Sequence, residues 1–192
     1  MKKLFVVFAL LLLVTGRAGY AADSDFDMQI NTMYAANQLD SAFNLILSIP
    51  QEERTAEQWL ILGNIMQDKG RIGDAEFMYE HSLAADPKYY KASYNLANLY
   101  LANGKPNMAI EKYKAALKIK NDFAYAYYNM ACAYIRLGEY RKAKNALLDA
   151  VYFKSTEPDF YYNLAYVYKK LNKTKDATLY LGYYNKIVND RK

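Results

Sequence analysis

Apolar side chains recur at spacings of three, four and seven residues along most of this chain, with polar side chains between them. This spacing is typical of amphipathic α-helices. Residue types that accept the left-handed conformation closing a helix recur between the apolar stretches: Gly70, Gly104, Gly138 and Asn172. Pro106 follows one of these stops, where its missing N–H suits the first turn of a new helix. The pattern therefore predicts pairs of antiparallel helices.

The pattern repeats along the chain with a fixed period of 34 residues. The four copies of one hexapeptide are Trp59–Asn64, Ser93–Asn98, Tyr127–Cys132 and Tyr161–Tyr166. Small residues, which let two helices approach closely, form one row at Gly63, Ala97, Ala131 and Ala165 and a second at Ala75, Ala109, Ala143 and Ala177. The period predicts four units over residues 56–89, 90–123, 124–157 and 158–191, called the first to fourth repeats below.

These units resemble the tetratricopeptide-repeat family. The first repeat matches the family pattern at Trp59, Leu62, Gly63, Ala75, Tyr79, Ser82 and Pro87. The resemblance implies an all-α fold, a right-handed superhelical solenoid of antiparallel helix pairs, with a concave groove lined mainly by the first helix of each pair. Residues 22–55 carry a fainter version of the pattern and are interpreted as a degenerate N-terminal capping repeat, since terminal repeats are usually atypical.

The first 21 residues are predicted to be a cleavable signal peptide. Two lysines precede an apolar run over residues 4–14, and small residues follow it. This run of 11 residues is shorter than the roughly 20 that cross a bilayer, which argues against a lasting membrane anchor. Cleavage is expected before Ala22, with Asp23 as the alternative. The mature chain is then exported, with the periplasm as the expected location and secretion as the alternative.

The composition provides few residues suited to catalysis or metal binding. Cys132 and His81 are the only cysteine and histidine, so one chain cannot assemble a disulfide or a Cys/His metal site. No nucleophile with a base, calcium loop or phosphate-binding loop is present, so we expect no cofactor, no metal and no enzymatic activity. The net charge of +5 divides into an acidic front half and a basic rear half. Two features argue against a nucleic-acid partner: the expected export, and the packing role of aromatic residues that recur at core positions of the repeat, such as Tyr100, Tyr134 and Tyr168.

The resemblance implies that a protein or peptide partner binds in the groove. The groove positions hold three tyrosines in register, polar neighbours and basic residues of the later repeats: Tyr94, Asn98, Tyr128, Asn129, Tyr162, Tyr166, Arg136, Lys169 and Lys170. Side-chain amides such as those of Asn95, Asn129 and Asn163 suit a peptide backbone. The alternative to partner binding is a structural role for these residues. Tyr-Asn is the family's commonest residue pair at this place in the repeat, and single charged residues usually belong to a solvated face.

The closing helix carries Tyr180, Tyr183, Tyr184 and Ile187 with no predicted helix to cover them. This patch could serve as a docking or homodimer surface. The alternative is that its amphipathic side chains cap the core by themselves. We therefore predict a non-catalytic interaction scaffold of the cell envelope, with a role in envelope or surface-appendage assembly. The alternatives are a subunit that self-associates through its last helix and, less favoured, an enzyme.

Overall fold

A computed structural model describes residues 25–191, and the predicted signal peptide lies outside them. This part of the chain consists of helices and short connections. The N-terminal pair is α1 (25–35) and α2 (Leu39–Leu47), and a short 3₁₀ turn, Gln51–Glu53, follows it. The four repeats contain α3 (Ala56–Asp68) and α4 (Ile72–Ala85), α5 (Tyr90–Ala102) and α6 (Pro106–Ile119), α7 (Ala124–Arg136) and α8 (Tyr140–Phe153), and α9 (Pro158–Lys170) and α10 (Thr174–Asp190).

The same tight turn joins the two helices of every pair. Gly70, Gly104 and Gly138 have φ near +72°, and Asn172 has φ +59°, the left-handed conformation that the sequence predicts. In each turn the next residue donates its backbone N–H to the carbonyl oxygen four residues before the turn residue, as Arg71 does to Met66 at 2.9 Å. Asn37 joins α1 to α2 in this way, with φ +57° and a 2.8 Å bond from Gln38 to Met33.

From α2 onward each helix packs against the next along the chain, and the first helices α3, α5 and α7 also contact one another in sequence across the repeats. The two rows of small residues lie at these contacts: Ala75, Ala109 and Ala143 are fully buried, as are Ala97 and Ala131. Gly63 lies directly over the ring of Tyr79, where a Cβ atom would come within 2.5 Å of two ring carbons. One continuous apolar core results, and it runs from α1 to α10.

The N-terminal pair shares this core through Ile30, Ala42 and Ile46, all buried. Its second helix is short, with nine residues in place of the 14 of α4, and the chain turns at Pro50. Thr55 then starts α3 with a capping box: its side chain accepts the N–H of Gln58, whose side chain accepts the N–H of Thr55. Within residues 25–191 no helix is long and apolar enough to span a membrane.

Candidate protein-binding surface

The groove positions of the sequence lie on one face of α3, α5, α7 and α9, which we call the first-helix surface. It contains Leu60 and Asn64, Tyr94 and Asn98, Tyr128 and Cys132, and Tyr162 and Tyr166. Each pair stands one full repeat after the previous one, so stacking the repeats places equivalent side chains next to one another. The surface is therefore regular, and differences between repeats stand out against that regularity.

Hydrogen bonds between side chains connect the first helices along this surface. In the first repeat, Oδ1 of Asn64 accepts bonds from the hydroxyl of Tyr79 and from Nδ2 of Asn95, both at 2.8 Å. Nδ2 of Asn64 donates to the hydroxyl of Tyr34 at 3.1 Å. Asn64 thus links α1, α4 and α5 through one side chain.

In the second repeat, Asn98 accepts hydrogen bonds from an equivalent tyrosine and an equivalent asparagine. Oδ1 of Asn98 accepts bonds from the hydroxyl of Tyr113 at 2.6 Å and from Nδ2 of Asn129 at 2.9 Å. Nδ2 of Asn129 also donates to the hydroxyl of Tyr94 at 3.0 Å. Because these groups are half-buried or buried, their hydrogen bonds offset the cost of removing them from water.

The third repeat keeps only part of the network. Cys132 and Leu147 replace the asparagine and the tyrosine of the earlier repeats, and Nδ2 of Asn163 donates to the hydroxyl of Tyr128 at 3.1 Å and contacts Sγ of Cys132 at 3.7 Å. Burial is the largest influence on Cys132 and raises the pKa of its thiol. A raised pKa disfavours the reactive thiolate.

The structure therefore gives the predicted asparagines a structural role. Asn98 and Asn129 use their amide groups between repeats, and Asn95 and Asn163 each donate to the repeat before them. Sequence reasoning did not detect this network. Its signal is present in the sequence, because Asn64 and Asn98 are followed at the same distances by a tyrosine, Tyr79 or Tyr113, and by a second asparagine, Asn95 or Asn129.

The tyrosines of this surface differ in how far they are already engaged. The ring of Tyr94 packs against Phe123, with centroids 4.7 Å apart, and the ring of Tyr128 stacks on Phe160 at 4.8 Å. Burial is the largest influence on both phenols and raises their pKa. Tyr162 and Tyr166 are 54% and 39% exposed. The free aromatic area therefore lies in the fourth repeat.

Charge changes sign along the same surface. The last turn of each first helix presents one equivalent exposed position, which holds Asp68, Ala102, Arg136 and Lys170 in turn. Arg136 also donates to the carbonyl oxygen of Leu101. Lys169 is exposed, and Nζ of Lys170 lies 5.5 Å from the ring centre of Tyr166. The surface is acidic at the first repeat and basic at the fourth.

The predicted patch on α10 is divided between the core and the surface. Tyr180 stacks on Tyr168 with centroids 5.1 Å apart, and Tyr184 packs against Tyr162 at 5.5 Å. Ile187 is half-buried, whereas Tyr183 is exposed and its ring centre lies 5.8 Å from that of Tyr161. Much of this aromatic area therefore closes the last helix pair.

The described residues contain no group of three or more His, Cys, Asp or Glu side chains arranged to hold a metal ion. Some acidic side chains form salt bridges at the surface, such as Asp40 with Lys69 and Asp74 with Arg71, and Glu76 accepts a hydrogen bond from the hydroxyl of Tyr100. What the first-helix surface offers to another molecule is aromatic area, amide and hydroxyl groups, and ordered charge.

Comparison with known proteins identifies the repeats. Residues 68–150 match a family model described as subunit 3 of the anaphase-promoting complex, or cyclosome, and residues 158–182 match a tetratricopeptide-repeat model. No curated protein matches the chain.

Solved structures with the same fold include MamA. One crystal structure of MamA is 20% identical, with a TM-score of 0.77 over 84% of this chain and 95% of that one. MamA from Desulfovibrio magneticus RS-1, from residue 41 to the end, is 17% identical, with a TM-score of 0.77 over 87% of this chain and 95% of that one. At this identity the likeness concerns the fold, and it confirms the all-α solenoid of helix pairs that the sequence predicts.

Proposed function

Because the chain is a tetratricopeptide-repeat protein, with a fold that serves as a scaffold for protein interactions, we propose that it is an exported, non-catalytic scaffold. It binds an extended segment of another protein along the first-helix surface. The acidic part of that segment lies toward the third and fourth repeats, where Arg136, Lys169 and Lys170 are exposed.

The observation that carries this proposal is the order of side chains along the surface. Tyr94, Tyr128 and Tyr162 stand in register, and the charge beside them changes from Asp68 to Arg136 and Lys170. A solvated face has no need of such an order, whereas a chain lying across the repeats would be oriented by it. Rigid aromatic side chains give a binding surface contact area at low entropic cost.

We place this activity in the cell envelope, in the assembly of envelope or surface-appendage proteins. The support is the amino-terminal sequence, where a basic start, an apolar run and small residues form a signal-peptide pattern. The mass of the chain isolated from its own cells tests this step. A mature N-terminus at Ala22 or Asp23 and recovery from the periplasmic or secreted fraction are expected. An intact Met1 in a cytosolic fraction would contradict it.

The binding step is tested by site-specific photo-crosslinking in living cells. A photoreactive residue replaces Tyr128, which is half-buried on the first-helix surface, and in a control it replaces Tyr152, which is 82% exposed on α8. We expect Tyr128 to capture a discrete partner of a different mass, competed by that partner's isolated segment. Equal capture at both sites would show contact without specificity.

Self-association is the alternative, and the same experiment separates it from the proposal. A photoreactive residue in place of Tyr183, exposed on α10, would then yield a dimer of this chain, while Tyr128 yields no partner. That result would replace the scaffold with a self-associating subunit.

A further inference from the structure

The fourth repeat has an apolar face between α9 and α10, which we call the end face: Ala165, Tyr166, Ala177, Thr178 and Leu181. The earlier repeats bury two of its positions, those of Ala177 and Leu181. Leu181 is 42% exposed, whereas the equivalent Leu147 and Tyr113 are both 0% exposed. Ala177 is half-buried, and its counterparts Ala75, Ala109 and Ala143 are fully buried. The residue types are those of an internal contact, but the contact is not made within residues 25–191.

The end face is concave. Together with Tyr162, Lys169 and Thr174, its residues line a cavity of about 400 Å³ between α9 and α10. In the earlier repeats the first helix of the next pair packs against this position, as α9 packs against α8. Phe160, Leu164 and Val167 of α9 are buried, and Phe160 lies in one apolar cluster with Ala150 of α8. The shape and the residue types therefore suit a helix.

The rim of the end face is basic. Lys169 lines the cavity, and the exposed Lys170, Lys173 and Lys175 are next in sequence to Lys169 or Thr174 of its lining. Within residues 25–191 none of the four forms a salt bridge. From residue 158 to 191 the chain has five lysines and one arginine against three aspartates, among them Asp176 on α10 itself. A helix with acidic residues along its edges complements this rim, and a basic helix is repelled by it.

A second copy of this chain fits the end face poorly. Eight and five residues before its turn residue, every later first helix carries buried apolar side chains, such as Leu164 and Val167 before Asn172. The equivalent residues of α1, counted from Asn37, are Gln29 and Thr32, both polar and exposed. The first helix of another copy would therefore bury polar groups. A two-fold dimer through the end face would instead bring the lysine rims together.

We propose that the end face binds an amphipathic helix with acidic edges from a different protein, in the place that a fifth first helix would occupy. The inference rests on the proposed function only in that both take the chain as a scaffold for proteins. It assigns a second surface, centred on Leu181 rather than on Tyr128, and the two surfaces share Tyr162, Tyr166 and Lys169. The partner helix would extend the solenoid by packing against α9 and α10 together.

The test uses a synthetic helical peptide of about five turns, roughly 18 residues. It carries phenylalanine, leucine and valine at the spacing of Phe160, Leu164 and Val167 and glutamates on its edges, and a second peptide has lysines in place of the glutamates. Fluorescence anisotropy measures binding of each to the full chain. We expect the acidic peptide to bind at least about tenfold more tightly, with an affinity that falls as salt rises.

Two matched variants locate the binding. Leu181→Lys places a charge in the apolar centre of the end face, where the bound helix would bury it. The change should lower the affinity for the acidic peptide by a factor of about ten or more. Leu179→Lys makes the same change on the same helix, at a residue that is 51% exposed and does not line the cavity, and should change binding less than about twofold. Circular dichroism of both variants checks that the helices persist.

Several results would overturn the inference. They are failure of both peptides to bind, equal binding of the acidic and the lysine peptide, or indifference to Leu181→Lys. Sedimentation showing a dimer that Leu181→Lys alone dissociates would assign the face to a second copy. A crosslink from position 181 to residues 1–24 of the same chain would assign it to the amino-terminal segment. If the photoreactive residue in place of Tyr128 captures no partner while the acidic peptide still binds the end face, only the proposed function is contradicted.

Discussion

Nδ2 of Asn129 donates a hydrogen bond of 2.9 Å to Oδ1 of Asn98, which lies 31 residues earlier on the first helix of the preceding repeat. The same relationship joins Asn95 to Asn64 at 2.8 Å. Two polar side chains at the contact between repeats thus satisfy each other. The bonds fix the position of each first helix against the one before it, so they help to hold the first-helix surface in a defined shape.

Replacing Asn129 with alanine tests this role. The change removes the donor to both Asn98 and the hydroxyl of Tyr94, and it should lower the free energy of unfolding by about 1–3 kcal/mol, because half-buried acceptors lose a partner. Urea unfolding measures the loss. Asn145→Ala, at an exposed position on α8, is the control and should stay within about 0.5 kcal/mol of the parent. Equal effects of the two changes would refute the role.

Gly63→Ala tests the close contact of α3 with α4. Its new Cβ atom would stand 2.5 Å from two carbons of the Tyr79 ring, which is buried and whose hydroxyl is held by Asn64. Overpacking of this kind should cost about 1–3 kcal/mol. Gly182→Ala, inside α10 with open space around it, should instead stabilise the chain by roughly 0.5–1 kcal/mol. Thermal unfolding of the pair gives opposite shifts if the packing is as described.

The left-handed turns give a further matched pair. Gly104 has φ +71°, so Gly104→Ala should lower the free energy of unfolding by about 1–2 kcal/mol. Asn172 has φ +59° at the equivalent turn, and Asn172→Gly should be neutral or slightly stabilising, since glycine adopts this conformation freely. Chemical denaturation compares them. A neutral Gly104→Ala would show that the turn tolerates another geometry.

Charge reversal tests the orientation of the bound segment. Lys170→Glu should reduce capture by the photoreactive residue at Tyr128 about threefold or more, because the basic end of the surface becomes acidic. Lys118→Glu, exposed near the end of α6, changes the net charge equally and should leave capture unchanged. Quantified crosslinking yields at two salt concentrations make the comparison. Equal losses would indicate a general effect of net charge.

Alkaline titration reports on the packed tyrosines. Burial is the largest influence on Tyr89 and Tyr168 and raises the pKa of each to about 12, against about 10 in an unfolded chain. The folded state therefore keeps protons that the unfolded state releases. Their contribution to stability is complete below pH about 10 and is lost as the pH rises toward about 12.

Absorbance at the tyrosinate band measures these steps in the folded chain and in urea. We expect the high-pH phase of the folded chain to lose one tyrosine in Tyr168→Phe. Unfolding free energies measured at increasing pH should fall across the same window. A folded chain that titrates like the urea-unfolded one would contradict the burial of these phenols.

Much of this protein could be predicted from its sequence, because the relevant physics is local. The helices follow from apolar residues spaced three and four apart, and their ends from glycine or asparagine at the one position of each turn that needs a positive φ. The tight packing follows from two rows of small residues. The fixed period then carries these features from one repeat to the next, so one well-matched unit predicts the others.

The availability of side chains depends on tertiary structure. The sequence alone suggests that the amide of Asn129 is available to a partner. The stacking of repeats brings it to Tyr94, 35 residues earlier, and to Asn98, and its Nδ2 donates hydrogen bonds to both. Leu147 and Leu181 occupy the same position of the repeat, yet α9 covers the first and no described helix covers the second. The sequence determines the repeating unit, because local interactions build it. Only the stacked structure decides which polar groups are paired and which apolar face is left open, because both depend on neighbours distant along the chain.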